Sequence, residues 1–93
     1  VEEYIRGGVA GMHLEDQVAP KRCGHVAGRE VIAREEAVRK IRAAATTRDA
    51  MDPDFVVIAR TDSRGAHGGS LEEAIWRANA FLEAGADLAF VEG

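Results

Sequence analysis

Five consecutive residues, Lys21-Arg22-Cys23-Gly24-His25, put two cations, a thiol and an imidazole side by side. Neighbouring positive charge lowers a thiol pKa and makes thiolate accessible near neutral pH. Cys23 in this setting could exchange a proton with a substrate; the alternative is a passive loop cysteine. Zinc fits poorly, because Cys23 and His25 lack Cys-x-x-Cys or His-x-x-x-His spacing and no second ligand pair is present. Elsewhere three short apolar runs end in charge: 9–14 in Glu15-Asp16-Gln17, 55–59 in Arg60-Thr61-Asp62, and 88–91 in Glu92. Arg60 is suited to fork onto a substrate carboxylate, or else pairs with Asp62 or Glu15. Glu15 could be a general base, could hold a hard cation such as magnesium directly or through water, or could be a salt-bridged carboxylate. Strand alternation puts His13 on the side of Glu15, where it reads as a hydrogen-bonded interior residue. His67, in the glycine-bordered loop 65–69, reads as exposed, and Trp76 as packing.

The elements that must position these groups are legible in the periodicity. Runs 55–59 and 88–91 are nearly continuous in apolar character, as expected for strands buried on both faces of a parallel sheet. Run 9–14 is weaker because Gly11 and His13 interrupt it. Arg34, Ala37, Val38, Ile41 and Ala45 recur at helical spacing, with Glu35, Glu36, Arg39, Lys40 and Arg42 on the opposite face. A second helix is expected to bury Leu71, Ala74, Ile75, Ala78 and Leu82, opened by a Ser70/Glu73 capping box and stopped at Gly85. Residues 1–6 read as the end of a further helix, stopped by Gly7-Gly8. This alternation predicts βαβ units and a parallel sheet. The carboxyl ends of parallel strands share one edge, where βα loops build active sites, so three charged strand ends point to a polar site there. Arg60 and Glu92 are 32 positions apart, close to the roughly 30 residues of one βα unit in an eightfold barrel. Leu14 and Arg60 are 46 apart. The excess lies in loop 18–32, and long ordered βα loops are usually functional lids.

Composition bounds the function classes. The 93 residues carry 12 lysines and arginines against 16 aspartates and glutamates, for a net charge of −4, with 46% apolar and 30% charged residues. That is the balance of a soluble globular chain. Absence of a basic block argues against a nucleic-acid partner, and apolar stretches of about five residues exclude a membrane span. A single cysteine cannot make an internal disulfide, which disfavours the oxidised, secreted class. The chain starts without Met and stops as a strand finishes, so it is expected to be a piece of a larger fold, the alternative being a small complete α/β domain.

Taken together, Met12-His13-Leu14-Glu15-Asp16-Gln17, Lys21-Arg22-Cys23-Gly24-His25 and Ile58-Ala59-Arg60-Thr61-Asp62 resemble the isocitrate lyase / phosphoenolpyruvate mutase superfamily over essentially all 93 residues. The resemblance implies a partial (β/α)8 TIM barrel, with residues 1–93 the central fragment, about strands four to six, of a single catalytic domain. It implies Mg2+ and a small-molecule carboxylate substrate, in a cytoplasmic enzyme that is a homotetramer at full length. Branches with a cysteine in this loop are mostly carbon–carbon lyases, of 2-methylisocitrate lyase, isocitrate lyase or dimethylmalate lyase type; oxaloacetate hydrolases carry a similar loop. The loop continues as Val26-Ala27-Gly28-Arg29 without a long insertion, which favours the methylisocitrate lyase-like group. Carried over, Cys23 would be the acid that protonates the carbanion left by bond cleavage. Lys21 would help polarise the hydroxyl or stabilise negative charge, and His25 would support the loop. Gly24, Arg60 and Glu92 would bind substrate, and Glu15 would hold a magnesium-bound water. The expected reaction is Mg2+-dependent retro-aldol cleavage of a 2-hydroxy tricarboxylate to a 2-oxo acid and succinate, with oxaloacetate hydrolysis as the alternative. The aspartate pair that binds the metal directly in this family is absent from the chain, so an inactive isolated fragment is also expected.

Overall fold

The computed structural model describes residues 10–17, 30–66 and 69–92. Three strands and two helices alternate: β1 (Gly11–Glu15), α1 (Arg34–Met51), β2 (Val56–Thr61), α2 (Leu71–Glu83) and β3 (Leu88–Val91). The strands form one parallel sheet in the order β1-β2-β3. Register sets Glu15 opposite Arg60 and Arg60 opposite Phe90. No described helix is long and apolar enough to cross a membrane. The expected helix end at residues 1–6 and the loop histidine His67 lie outside the described residues.

Both helices pack on one face of the sheet. Ala37 and Ile41 of α1 meet Ala59 and Phe81, with Leu14 and Val38 packed against them. A second cluster joins Ala44, Phe55 and Val57, backed by Met12 and Leu14. On β2 the burial alternates, so Val57, Ala59 and Thr61 are buried while Val56, Ile58 and Arg60 are only partly covered. Continuous apolar character had pointed to strands buried on both faces. Among the described residues the second face of the sheet is open instead, with Leu88 57% and Phe90 49% exposed. Both helices are spent on the first face, so these apolar side chains have no described layer above them.

The expected face of α1 is observed from Ala37 onward and extends to Ala44 and Arg48, whereas Arg34 is exposed. On α2 the expected face is wrong. Ala74, Arg77 and Phe81 are buried, whereas Leu71, Ile75 and Leu82 are about half exposed. At 100° per residue the buried stripe is rotated by roughly a quarter turn from the most apolar one. The cause is Arg77, only 4% exposed, which an ion pair with Asp16 at the end of β1 draws inward. Trp76 also departs from a simple packing role: it is partly exposed, and the Arg34 guanidinium stands 4.0 Å from its ring centre, a cation–π distance.

Turn chemistry seats the strands. Ser70 caps α2 by accepting from the Glu73 N–H at 3.0 Å. At the other end Ala86 N–H donates to Phe81 C=O and Gly85 N–H to Leu82 C=O, a Schellman pattern that requires the left-handed Gly85, at φ +115°. Asp87 then fixes the start of β3: its carboxylate accepts from Val57 N–H at 2.8 Å and from Arg48 Nη1 at 2.6 Å.

Candidate active site at the carboxyl edge of the sheet

Glu15, Arg60 and Glu92 stand at the carboxyl ends of three adjacent parallel strands. Arg60 is the centre of the group. Its Nε donates to Asp62 Oδ1 at 2.7 Å and lies 3.6 Å from Glu15 Oε2. The hydrogen bond to Asp62 raises the guanidinium above its usual pKa, and the negative charges of Asp62, Glu15 and Glu92 act in the same direction against the cost of burial. Among the described residues both contacts of Arg60 run through Nε. A guanidinium held at that nitrogen still presents the paired terminal donors that match a carboxylate. Below it, His13, Ile58, Leu88 and Phe90 join Arg60 and Glu92 around an open concavity of about 500 Å³. His13 was expected inside; here it is exposed on this uncovered face.

A buried polar network secures the edge from the helix side. Asp16, 2% exposed, accepts from Thr61 Oγ1 at 2.7 Å, from the backbone N–H of Asp62 at 2.8 Å and from Arg77 Nη1 at 2.9 Å. Thr61 gives its only hydroxyl proton to that carboxylate, so Ser63 Oγ, 2.8 Å away, is the donor to Thr61. Gln17 Nε2 donates to Asp62 Oδ2 at 2.8 Å. Arg77 continues outward to Glu73, which also takes a forked bond from Arg34. These two arginines, Arg34 foremost, lower the Glu73 carboxyl to about 2 despite the opposing effect of burial.

The sequence names Asp16 and Gln17 only as part of a strand end and a motif, without a role, and gives no signal for Ser63 or Arg77. One signal was available for Asp16: alternation turns it away from Glu15, toward the helices, where a charge needs a partner. Gln17 pairs with Val31 in an antiparallel bridge, and Ile32 N–H donates to Asp16 C=O at 2.7 Å. Chain positions 17 and 31 are thus pinned together beside Glu15. Lys21, Cys23, Gly24 and His25 lie between those positions, outside the described residues.

Among the described residues no three of His, Cys, Asp and Glu group into a metal cage. The charge balance nevertheless fits a cation. Among the described residues Arg60 is set among the carboxylates of Glu15, Asp62 and Glu92, with the Lys40 ammonium at the Glu15 carbonyl, so a bound cation would favour entry of an anionic substrate beside Glu15 and Glu92. The hard oxygen donors of Glu15 suit Mg2+ and its waters, as an outer contact rather than a complete ligand set.

Comparison with known proteins decides the family. The family model for phosphoenolpyruvate phosphomutase matches residues 1–93. The chain belongs to this family. It is 52% identical over 92 residues to 2,3-dimethylmalate lyase of Eubacterium barkeri, covering 99% of this chain and 30% of that protein. It is 48% identical over 92 residues to 2-methylisocitrate lyase of Escherichia coli strain K12, with coverage of 99% and 30%. The structure of oxaloacetate acetylhydrolase in complex with the inhibitor 3,3-difluorooxalacetate superimposes with a TM-score of 0.91 at 49% identity, again over 99% of this chain and 30% of that one. The chain therefore spans about 30% of the length of the relatives it matches.

Proposed function

We propose that the protein of which these residues form part is a Mg2+-dependent carbon–carbon lyase that cleaves a 2-hydroxy tricarboxylate of the methylisocitrate or isocitrate type. The observation that carries this reading is the convergence of Glu15 and Glu92 on Arg60 at one sheet edge. Similarity to a dimethylmalate lyase and a methylisocitrate lyase supports the reaction class. In this reading residues 1–93 are the central βα units, about strands four to six, of one (β/α)8 catalytic domain. Three parallel strands in sequential order with helices on a single face agree with that placement. The family resemblance further suggests a cytoplasmic homotetramer for the whole protein.

Retro-aldol cleavage needs a base at the hydroxyl, positive charge at the developing 2-oxo acid and an acid for the departing carbon. When bound, Mg2+ supplies Lewis acidity at the 2-oxygen; Glu15 would hold one of its waters. Arg60 would grip a substrate carboxylate through its terminal nitrogens, with Glu92 ordering the polar end of the substrate and Gly24 N–H a second carboxylate. Lys21 would stabilise the negative charge as the hydroxyl proton passes to a general base, for which Glu15, directly or through the water it holds, is the candidate. The carbon–carbon electron pair passes to the succinate fragment, and the Cys23 thiol gives that carbon its proton. His25 would support the loop.

A second reading has a specific observation in its favour, the TM-score of 0.91 with an oxaloacetate acetylhydrolase. One experiment separates them. The full-length protein is incubated with Mg2+ and with methylisocitrate, isocitrate, dimethylmalate or oxaloacetate, and products are identified by mass spectrometry. A 2-oxo acid plus succinate, or plus propionate when dimethylmalate is the substrate, supports the lyase, and acetate plus oxalate the hydrolase. Cys23→Ser should lower turnover by at least about 100-fold; a near-normal rate removes the thiol from the chemistry.

A further inference from the structure

We infer that Asp62, steadied by Gln17 and Asp16, is a positioning residue for Arg60 that sets the angle at which the guanidinium meets a substrate carboxylate. The inference rests on the assignment of Arg60 as a carboxylate binder. Asp62 itself is completely buried and does not face the substrate. Both carboxylate oxygens and the backbone N–H are used, each by a different partner. Oδ1 accepts from Arg60 Nε at 2.7 Å, Oδ2 accepts from Gln17 Nε2 at 2.8 Å, and the backbone N–H donates to Asp16 Oδ1 at 2.8 Å.

This arrangement is more specific than charge neutralisation requires. A buried carboxylate needs its lone pairs satisfied, and Gln17 does so on the oxygen that Arg60 does not use. Asp16 holds the backbone of Asp62 from the neighbouring strand, and Asp16 is held in turn by Thr61 and Arg77. The carboxylate of Asp62 is therefore a fixed point. Holding Nε there fixes the plane of the guanidinium and so the direction of its terminal pair. Glu15 is the competing anion: its Oε2 is 3.6 Å from the same Nε, beyond hydrogen-bond range. Without Asp62, Arg60 would turn onto Glu15, and both groups would be lost to the substrate.

The test uses the full-length protein and a double-mutant cycle on two readouts: steady-state kinetics with the substrate it turns over, and calorimetric binding of oxalate as a small dicarboxylate probe. Asp62→Asn keeps the shape and removes the charge. It should raise KM and the oxalate Kd roughly tenfold with kcat within about threefold, the pattern of a weakened ground-state contact. In an Arg60→Lys background, which has no Nε donor, the same substitution should change Kd less than about twofold. Equal factors in both backgrounds, or an unchanged Kd with a lowered melting temperature, overturn the inference, because Asp62 then acts on the fold and not through Arg60. Gln17→Met is a milder second variant, read in the same cycle should Asp62→Asn fail to fold. Absence of turnover with every candidate substrate sinks the lyase reading alone, since oxalate binding still reports on Arg60. Failure of the wild type to bind oxalate sinks the positioning role as well.

Discussion

Glu73 links two arginines of opposite exposure. Arg34 lies at the surface over Trp76, whereas Arg77 is buried and also pairs with Asp16. Because both guanidinium groups stabilise its charged form, the Glu73 carboxyl in the folded protein protonates only near 2, against an ordinary value of 4.5. In the unfolded chain it takes up its proton near that ordinary value. The stabilisation from Glu73 is therefore complete above about pH 4.5 and disappears as pH falls from there toward 2. Glu73→Gln should lower the stability of the full-length protein by about 1 kcal/mol at pH 7, or about 2–4 °C in melting temperature. That gap should shrink steadily in melts taken at pH 4, 3 and 2.5. A gap that stays constant across this range would mean that Glu73 acts by packing and not by charge.

Between the elements, two clamps act at opposite edges of the sheet. At the carboxyl edge Asp16 ties β1 to β2 and to α2. At the amino edge Asp87 and Arg48 join β2, the turn before β3 and the end of α1. Gly85 is the hinge of the second clamp. Its left-handed backbone completes the α2 cap, its carbonyl accepts from Arg48 Nη2 at 2.7 Å, and an added Cβ would stand 2.5 Å from the Ala45 Cβ. Gly85→Ala thus combines a disfavoured φ with overlap against a buried helix. It should cost about 1–3 kcal/mol, seen as a lower urea midpoint with an unchanged slope. The capping signals at Ser70 and Gly85 were legible because they act within a few residues of chain. Rotation of α2 was not legible, since the most apolar stripe lost to a long-range ion pair between Arg77 and Asp16, 61 residues apart.

At the scale of the whole molecule, the described sheet has one covered face and one open face. Leu88, Phe90 and His13 stand on the open one, and β1 and β3 form the sheet's outer strands. Exposed apolar strands with unpaired edges template association with other chains. The isolated 93-residue segment should accordingly form oligomers or aggregates at micromolar concentration, measurable by size-exclusion chromatography with light scattering. A well-dispersed monomer with a cooperative melt would show that the open face is tolerated without further structure.

Strand positions, helix caps, the parallel order and the strand-end charges follow from local rules: side-chain alternation, helical spacing and turn chemistry act over a few residues, and a single chain displays them. Arg60, Glu15 and Glu92 were readable as a possible site for that reason, because parallel strands carry their carboxyl ends to one edge whatever lies between. The tertiary structure alone decided which of Arg60's acidic neighbours holds its Nε, which partners clamp Asp16, and that Gln17 shares Asp62 with Arg60. Those choices depend on distances between residues about 45 positions apart in the chain, and a difference of under 1 Å between the Asp62 and Glu15 contacts separates a hydrogen bond from a through-space attraction.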